Sequence, residues 1–356
     1  MKLLYSRMKI FHFKEKLDSL PIEKDIILSP LHIRIKPTNI CNHNCWYCAY
    51  RKDNIQLGKD MVIQNQIPRE KMMELIDDFI DMGLKALTFS GGGDPFCYPY
   101  LLEAVRRLSK TDIRFASLTN GSRLTGEIAE IFAQKGAWIR VSMDGWDSAS
   151  YASYRRVSID EFGKVMRNIE NFKKIGGPCY LGVVINVDKD GAYHVYNSIK
   201  NIKNIGADSV KVSPCIISND SMENNKYHKP YLEMVKDQIN RAISDFKGKQ
   251  FEIFNSYHLQ LDGFEKNYTW CPFIQIKPII GADLNVYSCQ DKAYNIEEGM
   301  IFSIKDISFK EAWCSDKTKF LKVNPVVHCR HHCVVNEQNK MILEYLDTDK
   351  EHMMFV

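Results

Sequence analysis

Short β-branched runs alternate with amphipathic segments from residue 31 onward, and this alternation limits the possible folds more than any other feature of the sequence. LHIRI (31–35) predicts a strand, and residues 68–82 place apolar side chains on one helical face before Gly83. The same unit recurs as far as residue 246, with further strands predicted at 86–90, 113–119, 138–143, 180–187 and 209–214. Six such units in a row predict a parallel sheet with right-handed crossovers.

Six units are fewer than the eight that close a (β/α)8 barrel, so we expect an α/β fold with an open, partial (β/α)6 TIM-like barrel. The periodicity alone also allows a doubly wound sheet. In both folds, ligands bind at the carboxyl ends of the strands. The segments that directly follow each strand are therefore where we expect functional residues.

The pattern changes after residue 250 to short irregular strands, turns and cysteines, which predicts a small C-terminal cysteine-rich α+β domain. A length of 356 residues suits one large domain plus a smaller one. We place the boundary at Lys247-Gly248-Lys249. The expected segments are an N-terminal extension (1–30), the barrel (31–248), the cysteine-rich domain (249–335) and a C-terminal tail (336–356).

Charge and hydropathy limit the kinds of partner that this protein is expected to bind. A net charge of +4 is too small to predict nucleic-acid binding without a localised basic patch. No apolar run reaches the length of a membrane span. The first 20 residues alternate apolar and charged side chains, without the apolar core or cleavage site of a signal peptide. We therefore expect a cytoplasmic protein with no nucleic-acid or membrane partner.

Eleven cysteines are many for a cytoplasmic chain of this length. Disulfides are a poor explanation for them in a reducing compartment, where clustered cysteines more often bind metal or take part in catalysis. Seven of the cysteines fall into two groups, which are Cys41, Cys45 and Cys48, and then Cys271, Cys289, Cys329 and Cys333.

The first group has the spacing C-x3-C-x2-C and follows the first predicted strand. Three thiolates can hold three irons of a 4Fe–4S cluster and leave the fourth iron open for another ligand. An incomplete ligand set indicates chemistry, by the logic that separates open catalytic zinc sites from closed structural ones. The alternative from the residues alone is a zinc site in which His43 is the fourth ligand.

This segment, with the aromatic Tyr47 before its last cysteine, resembles the signature of the radical S-adenosylmethionine (SAM) family. The resemblance implies that the open iron binds the amino and carboxylate groups of SAM. It implies a one-electron donor such as flavodoxin or ferredoxin, whose electron cleaves SAM to methionine and a deoxyadenosyl radical. That radical then removes a hydrogen atom from a substrate C–H bond. The protein supplies orientation and excludes water.

The resemblance covers about residues 31–245 and implies further SAM-binding positions at the ends of later strands. Gly91, Gly92 and Gly93 resemble the glycine-rich motif that contacts the SAM amino group, and Asp94 stands where the family often has Glu. Other implied positions are Asn120 near the ribose, Ser142 with Arg155 or Arg156 at the methionine carboxylate, and Asn186 and Val187 near the adenine. From the residues alone, the glycines also suit an ordinary turn and the arginines a solvated pair.

The second cysteine group, Cys271, Cys289, Cys329 and Cys333, suits zinc or iron–sulfur equally by ligand softness. Its pattern resembles the short "twitch" form of the SPASM extension that follows many radical SAM cores. That resemblance implies one auxiliary 4Fe–4S cluster with four protein ligands, which fits electron transfer better than substrate ligation. The alternative is structural zinc, with His331 or His332 as a spare ligand.

Two further residues at the sixth predicted strand bear on the substrate. Cys215 follows this strand at the expected rim of the site, where a thiol could donate a hydrogen atom to a substrate radical. The alternative is a buried structural cysteine. Lys211 lies within the same strand and could face a substrate.

The expected function is that of a radical SAM enzyme that acts on a small-molecule or peptide substrate. The first interpretation is oxidation or epimerisation of a sugar, aminocyclitol or nucleotide-sugar. The second is peptide modification, although only about 30 residues precede the first strand, too few for a separate peptide-recognition domain. An activase that installs a protein radical ranks below both. A hypothesis of another class is a non-catalytic zinc-binding interaction protein.

Overall fold

The computed structural model describes residues 6–355 except 53, 54, 56, 247–250, 262–264, 332, 350 and 353. The expected boundary at Lys247-Gly248-Lys249 lies outside the described residues. None of the helices in the described ranges combines the length and the apolar character needed to cross a bilayer.

Within the described ranges, the strands form one sheet of ten, in the order β10-β9-β8-β1-β2-β3-β4-β5-β6-β7. Strands β1 to β7 pair in parallel with their sequence neighbours, and β8 pairs in parallel with β1. The strands are β1 (His32–Ile35), β2 (Ala86–Phe89), β3 (Arg114–Thr119), β4 (Trp138–Ser142), β5 (Tyr180–Val187), β6 (Ser209–Pro214), β7 (Glu252–Asn255), β8 (Ile279–Ile280), β9 (Asn285–Tyr287) and β10 (Met300–Ser303).

The consecutive order of β1 to β6 confirms the predicted partial barrel, because a doubly wound sheet reverses its strand order at a switch point. The structure adds a seventh parallel strand, β7, which the sequence analysis placed in the irregular region. All four β7 side chains are half-buried, so the strand lacks the strong apolar pattern that marks the other six. The cysteine-rich segment also continues the sheet through β8, β9 and β10.

Helices cover the outer face of the parallel strands. In α2, Met72, Leu75, Ile76 and Phe79 are buried, as the predicted apolar face requires. The helices of the described ranges are α1 (Lys14–Asp18), α2 (Arg69–Asp81), α3 (Leu101–Leu108), α4 (Gly126–Lys135), α5 (Ser148–Arg155), α6 (Glu161–Ile175), α7 (Val195–Asn204), α8 (Ser221–His228), α9 (Leu232–Phe246), α10 (Ser256–Leu261), α11 (Phe273–Ile276), α12 (Ile296–Gly299), α13 (Phe309–Cys314), α14 (Pro325–His328) and α15 (Asn336–Asp347).

Strand alternation gives the barrel a polar interior. Ile33 and Ile35 of β1 lie in the hydrophobic core against the helices, so Arg34 and Lys36 lie on the opposite face, inside the barrel. In closed barrels, the interior is filled mostly by branched aliphatic side chains. The β1 side of this barrel interior therefore differs from a closed barrel in carrying charged side chains, of which Lys36 is completely buried.

The two ends of the chain pack together against the cysteine-rich segment. Ile10, Leu17 and Leu20 share a buried apolar cluster with Phe273 and Ile342, the last of which belongs to α15.

Lys317 adds hydrogen bonds in the same region. Its Nζ donates to the carbonyl oxygens of Ser19, Pro21, Lys24 and Ile26 at 2.6–3.1 Å. An ammonium group has three hydrogens, so the four acceptors share them. The N-terminal extension is thus fixed to the C-terminal part of the chain.

Candidate active site

A cavity of about 320 Å³ opens where the carboxyl ends of the barrel strands meet. All three cysteines of the first group line it, as does the thiol-bearing Cys215 across the barrel. Most of the SAM-binding positions implied by the resemblance also line this cavity, namely Tyr47, Gly91, Gly92, Gly93, Asp94, Asn120, Ser142 and Arg155.

The three cysteines lie on a tight loop that follows β1. The backbone N–H of Cys48 donates to the carbonyl of Cys45 at 3.2 Å, and the N–H of His43 donates to the Cys41 sulfur at 3.4 Å. An Arg155 Nη1 lies 3.7 Å from the Cys45 sulfur. Three soft sulfurs with donor groups beside them, facing one cavity, fit a cluster that has one iron open to a ligand.

Burial holds Cys41 and Cys48 as neutral thiols in the metal-free protein. Burial, followed by the charge of Asp94, raises the pKa of Cys41 to about 12. Burial likewise raises the pKa of Cys48 above its usual range. Binding of iron therefore has to release protons from these thiols, because the metal ligand is the thiolate.

His43, the fourth ligand of the zinc alternative, also lines the cavity. Its Nε2 lies 3.5 Å from a Glu161 carboxylate oxygen, and its ring packs edge-on against Tyr151. Burial lowers the pKa of His43 to about 4. The imidazole is therefore neutral at pH 7.

The glycine-rich turn after β2 lies so close to the cysteine loop that side chains would not fit. A Cβ placed on Gly93 would be 2.0 Å from the carbonyl oxygen of Ile40, and one on Gly92 would be 2.1 Å from Asn39 Oδ1. Glycine is therefore required here for close approach of two backbone segments. The ordinary-turn alternative leaves this contact unexplained.

Asp94 connects the glycine turn to the end of β3. Its carboxylate accepts from the backbone N–H groups of Phe96 at 2.9 Å and Asn120 at 2.6 Å. It also accepts from Thr119 Oγ1 at 3.1 Å. These contacts assign Asp94 a positioning role at the mouth of the cavity.

Asp144 is a buried acid that the sequence analysis did not single out. It forms an ion pair with Arg155, with Nη2 2.6 Å from Oδ2, and accepts hydrogen bonds from the Tyr47 hydroxyl and the Asn186 N–H. Through these contacts it joins the cysteine loop to the ends of β4 and β5. The signal was present in the sequence, because Asp144 lies only two residues after Ser142, one of the expected SAM-binding positions.

Two of the implied SAM-binding residues do not line the cavity. Arg156 is exposed at the end of α5, where its φ is +52°. Val187 is 2% exposed and packs in the hydrophobic core between sheet and helices. Its neighbour Asn186, the other residue expected near the adenine, does line the cavity, because successive strand residues face opposite sides.

Cys215 is 3% exposed and lines the cavity. Burial, with the charges of Asp188 and Asp144, raises its pKa to about 12. The sulfur therefore keeps its hydrogen at neutral pH, as a hydrogen-atom donor must. His228 holds the backbone at this point, because its Nε2 donates to the Cys215 carbonyl at 2.9 Å.

The second cysteine group surrounds a separate, small enclosed cavity, and its four cysteines are Cys271, Cys289, Cys329 and Cys333. Asn339 Nδ2 donates to the Cys271 sulfur at 3.2 Å. Burial, followed by the charges of Asp291 and Cys333, raises the pKa of Cys289 to about 12. Four convergent thiols can complete the coordination of a metal or cluster.

The same region offers other ligand types. The ligand atoms of Cys289, Asp291 and His331 all lie within 4.8 Å of one another. Nitrogen and oxygen ligands beside a thiolate suit zinc as well, so the zinc alternative stays open here. His332, the other spare ligand considered, lies outside the described residues.

A hydrogen-bonded bridge joins the two cysteine sites. Tyr50 follows Cys48 by two residues, and Gln290 directly follows Cys289. The Gln290 amide donates to the Tyr50 hydroxyl, and Lys36 Nζ contacts both side chains, with 3.1 Å to Gln290 Oε1. The sequence gives no signal for this bridge, because Lys36 and Gln290 are 254 residues apart.

Residues 35–199 match the sequence profile of the Radical SAM superfamily. This part of the chain is therefore similar to radical SAM domains, a family that uses a 4Fe–4S cluster and SAM. A curated relative, the probable GTP 3',8-cyclase of Thermococcus kodakarensis, is 28% identical over 156 residues, which are 43% of this chain and 47% of that protein. The chain thus spans about half the length of this relative.

Two solved structures share the fold of this chain. SuiB of Streptococcus suis, bound to the precursor peptide SuiA, superposes with a TM-score of 0.61 at 15% identity, covering 88% of this chain and 71% of SuiB. The enzyme anSMEcpe with bound AdoMet superposes with a TM-score of 0.59 at 19% identity, covering 89% of this chain and 96% of that one. At this level of identity the likeness establishes the fold.

Proposed function

We propose that this protein is a radical SAM enzyme whose Cys41, Cys45 and Cys48 hold the SAM-binding 4Fe–4S cluster. The observation that carries the proposal is that these three thiols share one cavity with side chains from the ends of β2 to β6. With the cluster bound, reductive cleavage of SAM supplies a deoxyadenosyl radical that takes a hydrogen atom from a substrate C–H bond.

The surrounding residues bind and orient SAM. The turn at Gly91, Gly92 and Gly93 offers backbone groups to the SAM amino group, and Asp94 fixes that turn to β3. Arg155 presents positive charge beside Cys45 while Asp144 holds its guanidinium in place. Ser142 and Asn120 supply further polar contacts at the cavity wall.

The favoured substrate is a small molecule of the sugar, aminocyclitol or nucleotide-sugar type, which the enzyme oxidises or epimerises. Relatives support this class, because they include GTP 3',8-cyclases and an S-adenosylmethionine-dependent nucleotide dehydratase of Psychrobacter lutiphocae. In an epimerisation, the neutral Cys215 thiol returns a hydrogen atom to the substrate radical. A peptide is the second candidate, because SuiB was solved with a precursor peptide.

We further propose that Cys271, Cys289, Cys329 and Cys333 hold an auxiliary 4Fe–4S cluster. Held by these four cysteines, the cluster would supply an acceptor for the second electron of an oxidation, while the substrate would lose the accompanying proton to water. A one-electron donor such as flavodoxin or ferredoxin supplies the electron for SAM cleavage. The four-thiol set leaves no iron open, which suits electron transfer.

Anaerobic purification with metal analysis tests the proposal. We expect a brown protein with iron and sulfide, which converts SAM to deoxyadenosine in the presence of dithionite. A triple Cys→Ala variant at Cys41, Cys45 and Cys48 should lose this conversion, whereas Cys314→Ala, at an exposed cysteine outside both groups, should retain it. A colourless protein with bound zinc and no deoxyadenosine would support the zinc-binding interaction protein instead.

A further inference from the structure

The C-terminal helix α15 borders the small cavity that the second cysteine group surrounds. Asn339 of this helix is 0% exposed and lines the cavity together with the four cysteines. Its Nδ2 donates to the Cys271 sulfur at 3.2 Å. A donor beside a metal-binding sulfur orients that ligand and alters the electronic properties of the group that the ligand holds. Asn339 is therefore placed to act on whatever the four cysteines bind.

Three further hydrogen bonds fix which end of the Asn339 amide faces the sulfur. Its Oδ1 accepts from the backbone N–H of Phe273 at 3.2 Å. The second hydrogen of Nδ2 goes to the Tyr268 hydroxyl at 3.3 Å, and that hydroxyl donates to Asn336 Oδ1 at 2.8 Å. A rotated amide would place its NH2 group against the Phe273 N–H and its oxygen against the Cys271 sulfur, so two contacts would be lost. The amide N–H therefore points at the sulfur.

Ser288 adds a second polar group to the same cavity, directly before Cys289 in the chain. Ser288 is 2% exposed, and its hydroxyl has no hydrogen-bond partner among the residues that the structure describes. A buried hydroxyl without a partner costs free energy. The inorganic sulfide of a cluster in this cavity would accept the hydroxyl hydrogen. The site thus holds one donor already aimed at a cysteine sulfur and one without a partner.

Charged groups act on the same site with both signs. The Asp291 carboxylate and the Lys266 ammonium have opposite effects on the Cys329 thiol. Lys266 Nζ also donates to the His331 carbonyl at 2.6 Å, which holds the ammonium at the cavity wall. These charges stay in place when a neutral donor is removed. A difference between the wild type and a variant that lacks one neutral donor therefore reports the effect of that donor.

Reduction adds negative charge to an iron–sulfur cluster, so a hydrogen bond to one of its sulfurs stabilises the reduced form more than the oxidised form. We propose that Asn339 and Ser288 donate to sulfurs of the auxiliary cluster and thereby raise its reduction potential. The inference rests on the proposed function, because it takes a 4Fe–4S cluster as the occupant of this site. It assigns the two residues that make the cluster a better acceptor for the second electron of a substrate oxidation.

A redox titration of the anaerobically reconstituted full chain, followed by electron paramagnetic resonance, measures this potential. The signal that persists in the triple Cys→Ala variant of the first site belongs to the second site. We expect Asn339→Leu to make its one-electron reduction about tenfold less favourable, which is a shift of about 59 mV to more negative potential. Asn336→Leu is the matched control, because Asn336 is buried on the same helix and contacts Tyr268 instead of a sulfur. A wild-type potential in Asn339→Leu, or equal shifts in both variants, would overturn the inference.

Ser288→Ala tests the second donor with less disturbance of the fold. The variant removes a hydroxyl that has no partner in the described ranges, so no existing hydrogen bond is lost. We expect the second-site potential to become more negative in Ser288→Ala as well, with the iron and sulfide content of the wild type. An unchanged potential would overturn the role assigned to Ser288.

A further measurement needs no variant. Pulsed electron paramagnetic resonance of reduced wild-type protein, grown with asparagine that carries a heavy nitrogen isotope, should show coupling of the second-site signal to that nitrogen. The Asn339 amide lies one hydrogen bond from a cluster ligand, so absence of this coupling would overturn the inference. Zinc without iron at the second site would refute the proposed auxiliary cluster and the inference with it. A reducible second-site cluster that keeps the wild-type potential in Asn339→Leu and Ser288→Ala would refute the inference alone.

Discussion

Arg155 and Asp144 form an ion pair with 2.6 Å between Nη2 and Oδ2, and both side chains are almost completely buried. The pair joins the end of α5 to the end of β4, and Asp144 also accepts from the Tyr47 hydroxyl of the cysteine loop. A buried pair adds little net stability compared with apolar side chains, but loss of one partner leaves the other charge uncompensated.

We therefore expect Asp144→Ala to lower the free energy of unfolding by about 3–5 kcal/mol, measured by urea denaturation. The matched control is Glu127→Ala, which breaks the exposed Arg106–Glu127 pair and should leave the midpoint of urea denaturation almost unchanged. The double variant Asp144→Leu with Arg155→Met should regain part of the loss. Similar small costs for both single variants would show that the Arg155 charge is not buried as described.

Gly93 sets the distance between the glycine turn and the cysteine loop. Gly93→Ala would place a Cβ 2.0 Å from the Ile40 carbonyl oxygen, so one of the two backbones has to move. We expect a large loss of iron and sulfide from the first site, measured per protein after anaerobic reconstitution. Gly163→Ala in α6 is the control, because its Cβ would approach only the flexible end of Arg167. Wild-type iron content in Gly93→Ala would contradict the described contact.

The Cys215 thiol should make stability depend on pH in the alkaline range. Burial raises its folded-state pKa to about 12, whereas an unfolded cysteine titrates near about 8.5. Above that lower value the unfolded state binds fewer protons than the folded state, so the free energy of unfolding falls as pH rises toward 12.

Between pH 8 and pH 10, the free energy of unfolding should decrease less in Cys215→Ala than in the wild type. We expect the two decreases to differ by about 1–2 kcal/mol. The measurement is urea denaturation of the metal-free protein in the presence of reductant. Cys314→Ala, at an exposed cysteine, should follow the wild-type pH dependence. Identical pH dependence in all three proteins would mean that the Cys215 thiol is not protected by burial.

The hydrogen bonds of Lys317 should keep the N-terminal extension from opening locally. Lys317→Met removes the ammonium from four backbone carbonyls between Ser19 and Ile26. We expect trypsin to cleave after Lys24 at least about tenfold faster in this variant, since local opening becomes easier by roughly 1.5–3 kcal/mol. Lys310→Met, at an exposed lysine paired with Asp81 at 3.6 Å, should cleave at the wild-type rate. An unchanged cleavage rate in Lys317→Met would show that these hydrogen bonds do not hold the N-terminal extension in place.

The sequence predicted those parts of the fold that rest on local patterns. Strands β1 to β6 have buried apolar residues at alternating positions, so their carboxyl ends, and the residues that follow them, could be located in advance. Strands near the edges of the sheet that lack this alternating pattern could not be located in advance. β7 is half-buried throughout, and β8 has only two residues, Ile279 and Ile280, so neither carries a period of its own.

Contacts between segments that are far apart in the chain could not be predicted from the sequence either. Arg155 was expected at the SAM carboxylate, but its pairing with Asp144 depends on how α5 packs on β4. The bridge from Lys36 to Gln290 depends on the cysteine-rich segment continuing the barrel sheet. The individual roles of the SAM-binding residues stay predictions, and so does the identity of the auxiliary metal.

The central claim is that the iron left open by Cys41, Cys45 and Cys48 binds SAM directly. The electron paramagnetic resonance spectrum of the dithionite-reduced protein, recorded before and after addition of SAM, tests this claim most directly. We expect SAM to change the spectrum of the wild type, because a new ligand alters the electronic structure of the reduced cluster. Identical spectra with and without SAM, in a protein loaded with iron and sulfide, would contradict the account.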